Sequence, residues 1–249
     1  MTVYLCAFAL ACLFMALAGM MRSRVLAMGR HSDVRATILV FLAAAPIVLL
    51  VGLRSVEVGP DTYTYVVHYF EVGAGRSGAL DMNFSPLYWL FVKASYAICG
   101  SNWTGFLLIE GALVCLFLFL ALWRTCRVPC LDLLVFVCFG FAFEFVNQYR
   151  QFLACAILLY AFPDYAEGRV VRYALWVLAA SGIHPAALVM LAAIPLRGVE
   201  LDMRVVAASL VGMLLIGANF GAIESLVSRI PYFGAYVGSV YDYEISANT

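Results

Sequence analysis

The sequence predicts an all-α fold: a polytopic transmembrane helix bundle with broken or bent helices and an outward-facing polar cavity. Three observations carry that prediction. Of 249 residues, 65% are hydrophobic and only 12% charged, with a mean hydropathy of +0.97, against about 45–50% apolar and ~25% charged in soluble domains. Four runs, 2–21, 36–53, 104–123 and 205–223, match the length of about 20 apolar residues that a helix needs to cross the hydrocarbon core. Two further apolar stretches, 128–163 and 173–196, are interrupted by polar patches.

The first run starts at Thr2 with no basic residue ahead of it and is followed by Arg22 and Arg24. That is the wrong polarity for a cleaved signal peptide, so the run is expected to stay as an anchor. Arg22, Arg24, Arg30 and Arg35 make residues 22–35 cytoplasmic by the positive-inside tendency, which puts the loop 54–83 outside. Residues 84–99 carry Pro86 near the start and Lys93 in the middle, where a centred charge costs about 2.5–3.5 kcal/mol. If this segment only dips into the outer face, Arg124, Arg127, Arg169, Arg172, Arg197 and Arg204 all fall on the cytoplasmic side; if it crosses, all six move outside. The non-crossing reading is therefore preferred.

The stretch 128–163 breaks at Asn147, Gln148, Tyr149, Arg150 and Gln151, and 173–196 breaks at Ser181, Gly182, His184 and Pro185. Each reads as a pair of helices that enter from the cytoplasm, turn at the polar patch and return. The half 151–162 would reach only about 18 Å, so its turn sits within the bilayer, where non-helical backbone is tolerated only in protein or beside water. A single Pro-kinked span over 173–196 is the alternative, and it reverses the orientation of everything after it. The whole chain, 1–249, is expected to form one integral membrane domain with an external loop at 54–83 and an external C-terminal segment at 224–249. Both segments are rich in Gly, Tyr, Ser and acidic residues, suited either to sugars and headgroups or to interfacial anchoring.

Fifteen basic and fifteen acidic residues leave no net charge, so no basic field exists to hold nucleic acid. All basic residues but Lys93 are arginine, the headgroup that grips carboxylate or phosphate in two-point geometry. The eight cysteines lie mostly in apolar runs and read as packing residues; Cys126 and Cys130 lack the second pair that a zinc site needs. No GxxxxGK(S/T), HExxH, GxSxG or GxGxxG pattern occurs, and no carboxylate cluster has hard-cation spacing, so neither metal nor cofactor is expected.

Ionisable groups within or at the edge of a membrane are costly and become functional candidates. On this topology Arg54, Arg150, His184, Glu110 and Glu144 face one external vestibule. Each has a plainer reading. Arg54 can snorkel to headgroups, Glu144 can simply neutralise Arg150, His184 can cap a helix end, and Asp61 in Gly59-Pro60-Asp61-Thr62 can belong to a turn. As a set, two guanidiniums and an imidazole fit a lipid-linked pyrophosphate, whose leaving group is already activated and whose oxygens match arginine forks.

The segments GLRSVEVGPDTYTY (52–65), FSPLYWLF (84–91), NQYRQFLACAI (147–157) and SGIHPAALVML (181–191) together resemble the EpsG family of Wzy-like polysaccharide polymerases. The resemblance implies a multi-pass enzyme of the bacterial inner membrane that polymerises repeat units carried on undecaprenyl pyrophosphate at the periplasmic face. It places the family's first-loop Arg on Arg54, its Gly-x-Asp-Thr turn on Gly59, Asp61 and Thr62, its Arg-Gln pair on Arg150 and Gln151, and its His on His184. Ser85 stands where many members carry an acid, and members usually continue through further membrane helices beyond the position of Thr249. On this reading His184, Arg150 and Arg54 are catalytic, and Gln151, Asp61, Thr62, Tyr88, Glu144 and Glu110 bind substrate. A flippase and a chain-length regulator are the expected protein partners. An O-antigen ligase-like transferase, a flippase or export transporter, and a noncatalytic membrane subunit are the competing functions.

Overall fold

Helix α1 (Thr2–Ala27) buries Phe8, Ala11, Met15 and Ala18, and α2 (Val34–Gly52) buries Ala36, Val40, Ala43, Ile47 and Val51, each set at three- or four-residue spacing along one face. The computed structural model describes residues 2–27, 34–78, 85–125, 128–141, 145, 147–200 and 202–229, which fall into two units, 1–194 and 195–249. Within the first unit, Leu10, Leu13, Ile38, Phe41 and Leu42 remain exposed, an apolar surface of the kind that faces lipid.

Lipid tails are as apolar as leucine, so helices in a membrane associate through close packing of small residues. Helix α5 (Trp103–Thr125) meets α2 in this way: a Cβ on Gly52 would lie 2.8 Å from the Leu108 Cα, and one on Gly111 would lie 3.2 Å from Val51. Helices α1, α2 and α5 are long and apolar enough to cross a membrane, as predicted. They head a row in which α2 packs on α1, α5 on α2, α7 (Tyr149–Ala166) on α5 and α8 (Val170–Ser181) on α7, while α6 (Pro129–Cys138) leans on α1. An apolar groove of about 670 Å³ runs between α2 and α5, from Thr37 and Trp123 up to Leu49.

Several expectations need correction. The stretch 54–83 contains helix α3 (Pro60–Gly73). Its Gly59-Pro60-Asp61 start is a helix N-terminus: Gly59 has φ +84°, Pro60 takes the first helical position without wasting a donor, and Asp61 complements the helix dipole. The expected break at the 147–151 patch is present at Gln148, which is non-helical, so that Arg150 and Gln151 lie in the first turn of α7; a further break comes earlier, where α6 ends at Cys138 and Gly140 adopts φ +82°. In the second unit, the span 205–223 is two helices, α9 (Met203–Ala218) and α10 (Phe220–Val227), bent by 72°. Asn219 makes the break, turning its Nδ2 back onto the Leu215 carbonyl.

The stretch 173–196 folds as a pair. A 3-10 helix (Pro185–Ala192) follows α8 and returns along it, so that Tyr173 at the start of α8 donates its hydroxyl to the Met190 carbonyl at 3.2 Å. Tyr165 at the end of α7 likewise donates to Ala193 O at 3.0 Å. Helix α4 (Pro86–Cys99) is short, and its exposed Lys93 lies over the Trp89 ring at 4.7 Å. Glu144, Arg30, Cys126, Arg127 and residues 230–249 lie outside the described residues.

Basic helix ends gather at one end of the first unit. Arg22 of α1 donates to Trp123 O at 2.6 Å and stacks over that ring. Arg124 of α5 and Arg169 reach Asp164 Oδ1 at 3.0 and 2.6 Å, Arg172 lies 3.3 Å from Oδ2, and Glu167 pairs with Arg169. Asp164 is wholly buried while the guanidiniums are partly exposed, so removing the carboxylate leaves Arg124 and Arg172 without their ion pair and Arg169 with Glu167 alone. Asp164→Asn is therefore expected to destabilise the bundle by about 2–3 kcal/mol, below the ~3–5 of a fully buried pair because solvent screens the arginines. Thermal denaturation in detergent checks this, with Glu167→Gln, on the exposed pair, expected to change little.

Candidate functional site

Helix α2 ends where its apolar run ends, and Arg54 follows two residues later, at the end of the first unit opposite Arg22 and Arg124. Arg54 is buried. Its Nη1 donates to the Val51 carbonyl at 3.1 Å and its Nε to Thr62 Oγ1 at 3.2 Å. Thr62 in turn donates to Val58 O at 2.6 Å, so its hydroxyl is used on both sides within the protein. Burial lowers the pKa of Arg54, and the nearby Glu110 carboxylate opposes that shift.

Glu110 lies two turns into α5 and has no exposure. Its Oε1 accepts a hydrogen bond of 2.8 Å from the Tyr88 hydroxyl. Tyr88, also wholly buried, comes from the first turn of α4 and is the hub of an aromatic cluster: Tyr65, Tyr149 and His68 ring centroids stand 6.2, 6.1 and 6.2 Å away. Burial pushes the Tyr65 phenol up to about 12, so it remains a hydrogen-bond donor.

Arg150 enters from the first turn of α7. Its guanidinium lies over the Tyr88 ring at 5.5 Å and its Nη1 reaches Ser85 Oγ at 3.4 Å. Asn147, just before α7, accepts the backbone N–H of Asp61 at 3.2 Å and so ties α7 to the start of α3. Asp61 is half-buried; burial raises its carboxyl pKa and the Arg150 charge opposes this.

His184 caps the N-terminus of the 3-10 helix. The turn carrying it is fixed to α4, because Gly182 O accepts both Leu87 N–H at 2.9 Å and Tyr88 N–H at 3.2 Å. That approach requires glycine: a Cβ at position 182 would stand 2.6 Å from Leu87 Cγ. Arg150 exerts its charge on His184 as well as on Asp61.

The structure thus brings Arg54, Asp61, Thr62, Tyr88, Glu110, Arg150 and His184 into one region. Gln151 does not join them. It is exposed, about 100° around α7 from Arg150. Residues not singled out in the sequence complete the region: Tyr65 and His68, three apart on one face of α3, and Tyr149 beside Arg150. The helical spacing of Thr62, Tyr65 and Tyr69 was the available signal. Among the described residues no three His, Cys, Asp or Glu side chains group as a metal site would require.

Arg54 Nη2, Glu110 Oε2, Tyr149 Oη, Arg150 Nε and His184 Nδ1 are buried and have no hydrogen-bond partner among the described residues. Unpaired buried polar atoms cost about 1–3 kcal/mol each, and five in one region mark a place built to receive polar groups. Arg150 and His184 are half-buried while Arg54, Glu110 and Tyr88 lie beneath them, so access is from the Arg150 side. Gly182→Ala is expected to push α4 outward by its clash with Leu87, costing about 1–3 kcal/mol. A fall in detergent melting temperature without loss of membrane insertion checks it.

A family model described as the EpsG family matches residues 37–249. No curated protein and no solved structure matches the chain.

Proposed function

The chain belongs to the EpsG family, and from that premise we propose that it is a polysaccharide polymerase whose substrate is a glycan on undecaprenyl pyrophosphate. The reaction extends the glycan at the outer face of a bacterial inner membrane. The positive-inside tendency supports that sidedness, since Arg22, Arg124, Arg169 and Arg172 collect at the end opposite Arg54.

The observation that carries the reading is the convergence of two guanidiniums and an imidazole on one tyrosine-rich floor, each with a buried polar atom unpaired among the described residues. In the proposed step the free hydroxyl of the incoming lipid-linked unit attacks the anomeric carbon of the growing glycan. The bond from that carbon to the pyrophosphate oxygen breaks, a glycosidic bond forms, and the hydroxyl proton passes to His184. Undecaprenyl pyrophosphate leaves as an anion. Arg150, half-buried and reachable, grips its oxygens directly; Arg54, held by Thr62 and Val51, adds positive potential from behind. The half-buried Asp61 offers an acceptor to the sugar. The apolar α2–α5 groove, whose Leu49 edge lies about 8 Å along the helix from Arg54, suits the isoprenoid tail.

One oxyanion donor is worth about 2.7–4 kcal/mol, so Arg150→Ala is expected to slow polymerisation by roughly 100- to 1000-fold. Arg150→Lys should restore little, because an ammonium cannot make the two-point grip. His184→Ala should lower turnover by about 100-fold or more. The assay is polymer length in a deletion strain complemented with each variant. Loss should leave single lipid-linked repeat units; long unattached polymer would instead identify a ligase, and full-length polymer from a normally inserted Arg150→Ala variant would refute the assignment.

A further inference from the structure

We infer that Tyr88 and Glu110 act as a positioning pair for the Arg150 guanidinium, a role distinct from contact with substrate. The inference rests on the reading of Arg150 as the pyrophosphate grip. Tyr88 and Glu110 have no exposure, whereas Arg150 is half-exposed above them. A headgroup that reaches Arg150 meets neither of the two beneath it, so their influence on the reaction passes through Arg150.

The geometry gives that influence a route. The Tyr88 ring at 5.5 Å, in the first turn of α4, and the hydroxyl of Ser85 at 3.4 Å, the residue that precedes the helix, hold the Arg150 head. Both groups reach the same guanidinium from the start of α4, so Ser85 and Tyr88 form one platform. A tyrosine ring can tilt about its side-chain bonds, and the 2.8 Å hydrogen bond from its hydroxyl to Glu110 Oε1 on α5 fixes the far end of the ring. The near end is fixed by the Tyr88 N–H on Gly182 O.

The functional consequence is specific. Arginine forks act on a departing pyrophosphate only from the correct angle, and a displacement of about 1 Å can cost on the order of 100-fold in rate. Tyr88→Phe deletes the hydroxyl and keeps the ring, so it loosens the platform without emptying it. It is expected to lower kcat and kcat/KM together by about 10-fold, with KM little changed, as for a group that matters in the transition state.

A double-mutant cycle tests the pair, using the purified full chain and the lipid-linked repeat units extracted from the deletion strain. Tyr88→Phe should cost about 10-fold in the wild-type background and less than about 2-fold in the Arg150→Ala background, because its effect is exerted through the missing guanidinium. Glu110→Gln, which keeps an acceptor for the Tyr88 hydroxyl, should recover most of the turnover lost in Glu110→Ala. An equal loss from Tyr88→Phe in both backgrounds, or none in either, overturns the inference while leaving the role of Arg150 intact. If Arg150→Ala itself elongates normally, the underlying reading fails instead. Each variant is compared at matched detergent melting temperature; Tyr88→Phe and Glu110→Gln are near-isosteric and serve where Glu110→Ala does not fold.

Discussion

Glu110 sits without exposure in the middle of a bundle whose outer surface is hydrocarbon-facing leucine, valine and phenylalanine. A buried carboxyl group is retained only when hydrogen bonds and favourable neighbouring charge offset its lost hydration. The Tyr88 hydroxyl supplies the bond and Arg54 the opposing charge, with Arg150 stacked on the same Tyr88 ring. Four elements that are far apart in sequence, the end of α2, the starts of α4 and α7, and the body of α5, are brought to one place by that requirement. Thr62 and Asn147 extend the network to α3, and Gly182 extends it to the turn that carries His184.

The same electrostatic economy divides the first unit into two unlike ends. At one, Arg124, Arg169 and Arg172 converge on the buried Asp164 carboxylate in a cluster of ion pairs. At the other, Arg54, Arg150 and His184 retain polar atoms with no protein partner among the described residues. The first cluster holds its arginines in ion pairs; the second leaves Arg54 and Arg150 without one among the described residues. This contrast, more than the presence of arginine, separates the structural end of the molecule from the end proposed to act on pyrophosphate.

The crossing helices were legible because 20 apolar residues in a row have few other uses, and the candidates Arg54, Arg150 and His184 were legible because charge in such surroundings is costly. What escaped the sequence depended on direction and angle. Gly59-Pro60-Asp61 suits a turn and a helix start equally well, and only the residues packed behind it decide. Phe139 and Gly140 look like continuous membrane helix until Gly140 takes a positive φ. Asn219 is one polar residue in a hydrophobic run, and hydropathy averages over it, yet its side chain competes for a backbone carbonyl and bends the chain by 72°. Tyr88 and Glu110 were both named as candidates, but their hydrogen bond depends on how α4 and α5 are rotated about their axes, which no spacing rule records. Gln151 shows the converse: adjacent to Arg150 in sequence, it is turned away by the helix.

The proposed reaction requires the Arg54–Arg150–His184 end to face away from the cytosol. Labelling of single cysteines in a Cys-free background with a membrane-impermeant maleimide measures this in intact cells. Arg76→Cys, on the exposed segment after α3, should label at once, and Glu167→Cys, beside Asp164, only after permeabilisation. The opposite pattern, with Glu167→Cys labelled in intact cells and Arg76→Cys protected, would contradict the account.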